Sequence, residues 1–358
     1  MDLERDLERL AGASGEWLRG TGPESDIVIS SRVRLARNLE GFPFLVRASL
    51  GQRREIEKVL RQAVLEALAE EGAMYLALES TPELDLQLLV ERHLISRELA
   101  QGEGPRGVAF SRTESIAVMI NEEDHLRAQV LGSGLALQEC WTAIDRLDDQ
   151  IGERHPYAFS STLGFLTACP TNVGTGIRVS VMLHLPGLVW TKQIEKVFES
   201  VRQMGLAVRG LYGEGTQASG DFFQLSNQRT LGQSERDILD SLRSVVPRIV
   251  AYERRARQSL LEQSPHQLDD RVSRALGMLR HARTIGSEET MLLLSAVRLG
   301  VNLGLVRDLP IGRVNELFIL TQPAHLQKIN RRALDRDKRN VARAEFIRTR
   351  LNGGRRPA

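Results

Sequence analysis

At 358 residues, 42 % hydrophobic and 26 % charged, the chain has the composition of an ordinary globular protein and length enough for one large domain or two. Its start, MDLERDLERLAG, has neither a basic n-region nor an apolar h-region, and no uncharged stretch approaches bilayer length, so a cytosolic protein is expected. Two cysteines, Cys140 and Cys169, are too few for a disulfide framework, and the formal net charge of +2 hides a strongly basic tail, residues 328–358, with eleven Lys or Arg against three Asp or Glu.

Residues 27–30 read as a strand, and SSRVR at 30–34 continues it in extended form. A helix is predicted over 52–71, where Ile56, Val59, Leu60, Ala63, Val64, Ala67 and Leu68 make one apolar stripe. Strands follow at 74–78, 107–111 and 115–121, then a helix marked by Leu137, Cys140, Trp141, Ile144 and Leu147. The alternation of Arg178, Val179, Ser180, Val181, Met182 and Leu183 within a strand at 177–185 suits a sheet with one packed face and one turned to a site. Next come a helix marked by Ile194, Val197, Phe198 and Val201, strands at 206–212 and 221–226, and a long helix from Ser234 to about Leu261 that Pro247 can kink. Beyond it strand patterns stop; Ser264, Pro265 and His266 mark a boundary, with helices at 268–283, 287–299, 314–320 and 324–350. The order predicts an α+β fold over 1–262, a mixed or antiparallel sheet backed by helices, and an all-helical C-terminal domain over 263–358.

Three stretches can carry chemistry. NEEDHLR, residues 121–127, sets two adjacent carboxylates, an imidazole and a guanidinium directly after an apolar run; taken alone, a solvated turn is the commoner explanation. In SSRVR, Arg32 and Arg34 stand two apart on an extended segment, so both reach one face, as paired guanidiniums awaiting an anion or as two exposed edge arginines. CPTNVGTGIRVSV, residues 169–181, is a Pro- and Gly-rich loop whose amides at Gly174 and Gly176 could receive an anion beside Arg178; it lacks the ending of a Walker loop. Arg32, Arg34, Arg127, Arg178 and Arg209 together would match a triphosphate held by arginine, with magnesium largely on the phosphates and no side-chain metal ligand assigned.

In that order and spacing the three motifs resemble those of the phosphagen (guanidino) kinases over residues 26–252. The resemblance implies a phosphagen-kinase-like catalytic domain with ATP and Mg²⁺ as cofactors. Its matching positions for ATP are Ser30, Ser31, Arg32, Val33 and Arg34; His93 on the adenine side; Arg127; Arg178, Val179, Ser180, Val181 and Met182; and the turn Arg209, Gly210, Leu211, Tyr212, Gly213 and Glu214. It makes Glu123 the catalytic carboxylate that aligns the guanidinium and Glu122 a neighbour of the metal shell, with the two roles exchangeable, and it makes Cys169 a substrate contact while Cys140 takes a core position.

The chain departs from that pattern in three places. About 25 residues precede SSRVR where small-guanidine members carry a helical domain, so an uncovered pocket that admits a protein-borne arginine is expected. Tyr212 stands where the family has another phosphate arginine, and Gln217 where arginine kinases place a second carboxylate. With the helical C-terminal extension, these departures make the chain similar to the bacterial protein arginine kinases. That resemblance implies a phosphoarginine pocket in the C-terminal domain at Arg339, Asn340 and Arg343, with Asn340 in place of an acid. It further implies stress-linked marking of proteins for Clp degradation, a CtsR-type repressor among the substrates, an McsA-type activator, the ClpC unfoldase and a homodimer or higher oligomer. A small-guanidine kinase and a non-catalytic phosphoarginine reader are the alternatives. Phe346 is the sole aromatic ring in the basic tail, too few for stacking on single strands, so no nucleic acid is expected.

Overall fold

Eight strands form one sheet in the computed structural model, which describes residues 3–210 and 219–352. They are β1 (Val28–Arg37), β2 (Met74–Ala77), β3 (Gly107–Phe110), β4 (Ile116–Ile120), β5 (Leu126–Ser133), β6 (Ile177–His184), β7 (Leu206–Gly210) and β8 (Phe222–Asn227). Their order is β2-β3-β4-β5-β1-β6-β8-β7, and every neighbouring pair is antiparallel, which narrows the mixed or antiparallel expectation. Strand β5 was not anticipated from the sequence, and β1 runs on from residue 30 through the whole of SSRVR.

One face of the sheet is apolar. Val33 and Leu35 of β1, Ala128 and Val130 of β5, and Val179, Val181 and Leu183 of β6 are buried against helices Leu50–Ala67, Leu137–Gly152, Ile194–Gln203 and Glu235–Gln263. The period-2 pleat places their neighbours, Arg32, Arg34, Arg127, Gln129, Arg178 and Ser180, on the other face. Register is thereby pinned, because a one-residue slip would drive guanidiniums into the apolar layer. Gly132 lets the helix Leu137–Gly152 close on β5: a Cβ there would lie 2.9 Å from Cys140 Sγ.

Pro247 is accommodated within the single helix Glu235–Gln263, which a capping box between Ser234 and Asp237 starts. Helices Pro265–His281, Ser287–Asn302, Ile311–Leu320, Pro323–Ile329 and Arg336–Leu351 complete the C-terminal part. The single helix expected over 324–350 is in fact two. Arg331 takes a left-handed φ of 51° and the Asp335 side chain accepts from the Lys338 amide, which ends one helix and caps the next. The C-terminal helices share a buried cluster with Trp17, Leu18, Ile29, Leu131 and Phe222, so they pack on the arginine-bearing side of the sheet. Fully buried Arg298 ties them there, donating to the backbone oxygens of Ser25 and Asp26 and to Asn315 Oδ1. Among the described residues no helix is long and apolar enough to cross a membrane.

Candidate active site

Cross-strand register assembles the polar face in rows. Arg34 stands opposite Arg178 and Gln129; Arg32 opposite Ser180 and Leu131; Ser30 opposite Met182. Arg127 lies opposite Ala36 and Met119, and Gln224 pairs with both Met182 and Arg209. All five arginines line one cavity of about 400 Å³, a volume suited to a nucleotide-sized ligand. Along the strands its floor grades from guanidiniums at Arg34, Arg127 and Arg178 to Ser30, Leu131 and Met182.

The cluster is short of negative charge. Arg32 donates to Gln224 Oε1 at 3.2 Å and to Ser180 Oγ at 3.5 Å, and burial, followed by Arg127 and Arg178, pushes its pKa down to about 10. Arg34 is lowered further, by burial and then by Arg32, Arg127 and Arg178, and its buried Nε has no hydrogen-bond partner. An orphaned guanidinium donor inside a ring of like charges is the signature of a missing anion, and planar multi-donor groups fit phosphate oxygens. Glu122 enters the cluster: both its oxygens accept from Arg127 Nη1, at 2.6 and 2.5 Å. Burial opposes its ionisation, but Arg127, a hydrogen bond from Ser96 and the charge of Arg34 hold its pKa below the usual carboxylate value.

Glu123, next in the chain, is exposed, in keeping with a group that meets an incoming substrate. Burial of part of the carboxyl, then Asp124 and Glu122, raise its pKa, with Arg127 and the nearby Cys169 thiol opposing. The carboxyl of one motif and the thiol of the other are thereby neighbours. Cys169 Sγ also lies 3.0 Å from Thr171 Oγ1.

The rest of NEEDHLR is scaffold. Asn121 takes a φ of 59° and its Nδ2 donates to the carbonyls of Arg53 and Pro105. Asp124 Oδ1 accepts from Asn38 Nδ2 and from the Ala168 amide, each at 2.6 Å, which ties the turn to the cysteine loop. His125 Nδ1 accepts from the Leu39 amide and Nε2 donates to Pro43 O, so this buried imidazole is locked as one neutral tautomer and reaches no substrate. Its place in the motif had suggested chemistry.

His93 lines the far end of the cavity, where Trp17 packs edge-on at 5.4 Å and the His93 carbonyl accepts from Gln129 Nε2. Burial, then Arg32 and Arg97, push its pKa down to about 4, so a neutral ring faces the site. Of the residues expected to bind ATP, Ser31, Val33, Val179 and Val181 do not line the cavity: Ser31 Oγ donates to Gly134 O, and the three valines belong to the apolar core. The expected Gly210 ends β7, while Leu211, Tyr212, Gly213, Glu214 and Gln217 lie outside the described residues. Sequence reasoning missed Trp17, Gln129, Gln224, Met291, Phe318 and Gln322, which also line the cavity. Only recognition of β5 would have flagged Gln129, two residues from Arg127 on the same face.

Arg343, expected in a phosphoarginine pocket, is only 2 % exposed. Nε donates to Thr321 O, and Nη1 to Ile285 O and Asn340 Oδ1, at 2.8 to 2.9 Å. Arg339 Nη1 donates to Leu334 O. The Nε and Nη1 of Arg343 therefore cross-link helices, with Asn340 orienting the group.

The polar face, with a carboxylate and a thiol at its edge, is the equipment of a guanidine phosphotransferase. Residues 55–256 match the family ATP:guanido phosphotransferase, C-terminal catalytic domain, and residues 265–358 match the protein-arginine kinase McsB C-terminal domain. Among solved structures, the fold is similar to the duplicated taurocyamine kinase from Schistosoma mansoni, at a TM-score of 0.59 and 26 % identity over 72 % of this chain and 39 % of that one. Lombricine kinase gives a TM-score of 0.56 at 27 % identity, over 70 % of each chain. The chain thus belongs to the ATP:guanido phosphotransferases.

Within them it belongs to the protein-arginine kinase family. It is 47 % identical to the protein-arginine kinase of Desulforamulus reducens over 96 % of this chain and 98 % of that protein, and 47 % identical to that of Symbiobacterium thermophilum over 96 % and 99 %.

Proposed function

We propose that this chain transfers the γ-phosphoryl group of ATP to arginine side chains of proteins. The observation that carries the proposal is the set of five guanidiniums converging from strands β1, β5, β6 and β7 on one cavity, Arg34 among them with an orphaned buried donor, and the Glu123 carboxyl near both Arg127 and Cys169. Arg32, Arg34, Arg127, Arg178 and Arg209 hold the triphosphate and neutralise charge in flight, the larger part of what phosphoryl transfer asks of a protein. Magnesium, which supplies further charge neutralisation, would ride on phosphate oxygens, with Glu122 the carboxylate already placed among the phosphate arginines.

Glu123 and Cys169 hold the acceptor guanidinium. Since arginine stays protonated to pH above about 12, the carboxylate aligns the nitrogen first and takes its proton as the N–P bond forms and the bond from phosphorus to ADP oxygen breaks. The same reading makes stress-damaged proteins and a CtsR-type repressor the substrates of a cytoplasmic enzyme, with an McsA-type activator, the ClpC unfoldase as receiver and self-association into a homodimer or higher oligomer. Incubation with ATP, magnesium and an unfolded protein should yield phosphoarginine by mass spectrometry at neutral pH, and Glu123→Ala should abolish it while ATP still binds. Comparable turnover of free arginine would replace this reading with a small-guanidine kinase; ATP binding without transfer to either would leave a phosphoarginine reader.

A further inference from the structure

The end of the cavity remote from the arginines is closed by the C-terminal helices. Met291 from Ser287–Asn302, Phe318 from Ile311–Leu320, and Gln322, just before Pro323–Ile329, line the same space as the guanidiniums. Phe318 packs edge-on against Phe222 of β8, ring centroids 4.7 Å apart, and both join Met291, Leu131 and Ile29 in one buried cluster. This wall is part of the core. Because the floor grades from Arg34 and Arg178 to Ser30, Leu131 and Met182, a ligand whose phosphates meet the guanidiniums lays its uncharged end here.

Gln322 makes the wall selective. It is 8 % exposed, and its Nε2 donates to Phe318 O at 2.9 Å and meets Met291 Sδ at 3.7 Å. Both contacts fix the amide with Oε1 as its open acceptor, which meets no donor among the described residues. The neighbouring amide, Asn315, is committed at both ends: Oδ1 accepts from Arg298 Nε at 3.0 Å and Nδ2 donates to Leu18 O at 3.1 Å.

We propose that the C-terminal helices form the base-recognition wall of the nucleotide site, and that Gln322 Oε1 accepts a hydrogen bond from the exocyclic amine of adenine. The proposal rests on the nucleotide reading above. A 6-oxo purine would set acceptor against acceptor, so the site selects a 6-amino purine, and nucleotide affinity depends on the docking of helices that belong to no sheet-bearing layer.

The test is calorimetric titration of the full chain with ATP and with ITP, which differ at that position. ATP should bind about tenfold more tightly, the worth of one buried hydrogen bond against an unpaired acceptor, and Gln322→Met should bring the two within about twofold. A preference that survives the substitution overturns the assignment. So does equal affinity in the unsubstituted protein, which decides the matter even if the variant does not fold. Binding of neither nucleotide overturns the proposed function as well, whereas equal binding of both overturns the base-recognition wall alone.

Discussion

Replacing Asp124 by Ala separates the catalytic turn from the cysteine loop. Asp124 is 2 % exposed, and its single oxygen Oδ1 holds both Asn38 Nδ2 and the Ala168 amide at 2.6 Å. Hydrogen bonds to a charged acceptor contribute about 1.5 to 3 kcal/mol each. Asn38 keeps a second bond from Nδ2 to Leu166 O, and Ala168 is only half-buried, so the lower end applies and the loss is about 3 kcal/mol. For a chain of 358 residues, the usual unfolding entropy per residue converts this to a fall in Tm of about 4 °C. The kinetic effect is larger and one-sided. With the link gone, Glu123 and Cys169 are no longer held in register, and a displacement of about 1 Å lowers kcat on the order of 100-fold. The arginines stay on paired strands, so KM for ATP should change less than threefold. Initial rates with ATP and protein substrate varied independently, alongside a thermal melt, measure both. A rise in KM for ATP matching the fall in kcat, or an unchanged kcat, would refute the idea that this carboxylate positions the acceptor side.

Asp124→Asn leaves an acceptor in place but removes a charge that raises the Glu123 pKa, so the acid limb of kcat should move to lower pH; a limb that stays put would assign it to another group. Arg34→Met should raise the Tm of the nucleotide-free protein while weakening ATP binding at least about 30-fold, because it deletes a guanidinium with an orphaned buried Nε that stands among three like charges and is offset in part by Glu122; a lower Tm would mean the charge is already satisfied. Arg343→Ala strands the acceptors Thr321 O, Ile285 O and Asn340 Oδ1 and should cost about 3 kcal/mol in urea unfolding; an unchanged midpoint together with lost phosphoarginine binding would restore a ligand role. Burial lowers the pKa of His93, to about 4, and those of His125, His184 and His325. Between about pH 6.5 and pH 4 the unfolded chain therefore takes up protons that the folded one refuses, and the urea midpoint should fall from pH 7 to pH 5; constancy would contradict neutral burial.

The polar pairs on the open face were legible because strand geometry alone decides them: two residues apart means one face, and Arg32 with Arg34 and Arg178 with Ser180 obey it. The long helices were legible for the same reason, from spacing. Strand β5 was not, since its outward residues Arg127 and Gln129 are polar and its inward ones include small Ala128, which leaves no apolar run. Within NEEDHLR, composition could not separate chemistry from scaffold. Asp124 and His125 look as reactive as Glu122 and Glu123, and only burial and hydrogen-bond partners show that the former pair builds the loop that presents the latter. The far wall was invisible for the opposite reason. Met291 and Phe318 carry the helical pattern of any core residue, and nothing local announces that a cavity lies beyond them.

The alternation along β1 carries a genetic implication. Val33 and Leu35 belong to the core while Arg32 and Arg34 belong to the cavity, on a strand paired along both edges. Inserting or deleting one codon within 31–35 would exchange the two sets for part of the strand, burying guanidiniums in hydrocarbon and turning valine toward phosphate. Such an indel cannot produce a well-folded but inactive kinase; it should be lost at the level of protein abundance. Inactive yet stable forms of this chain must instead arise by substitution, at exposed side chains such as Glu123 that no core packing depends on.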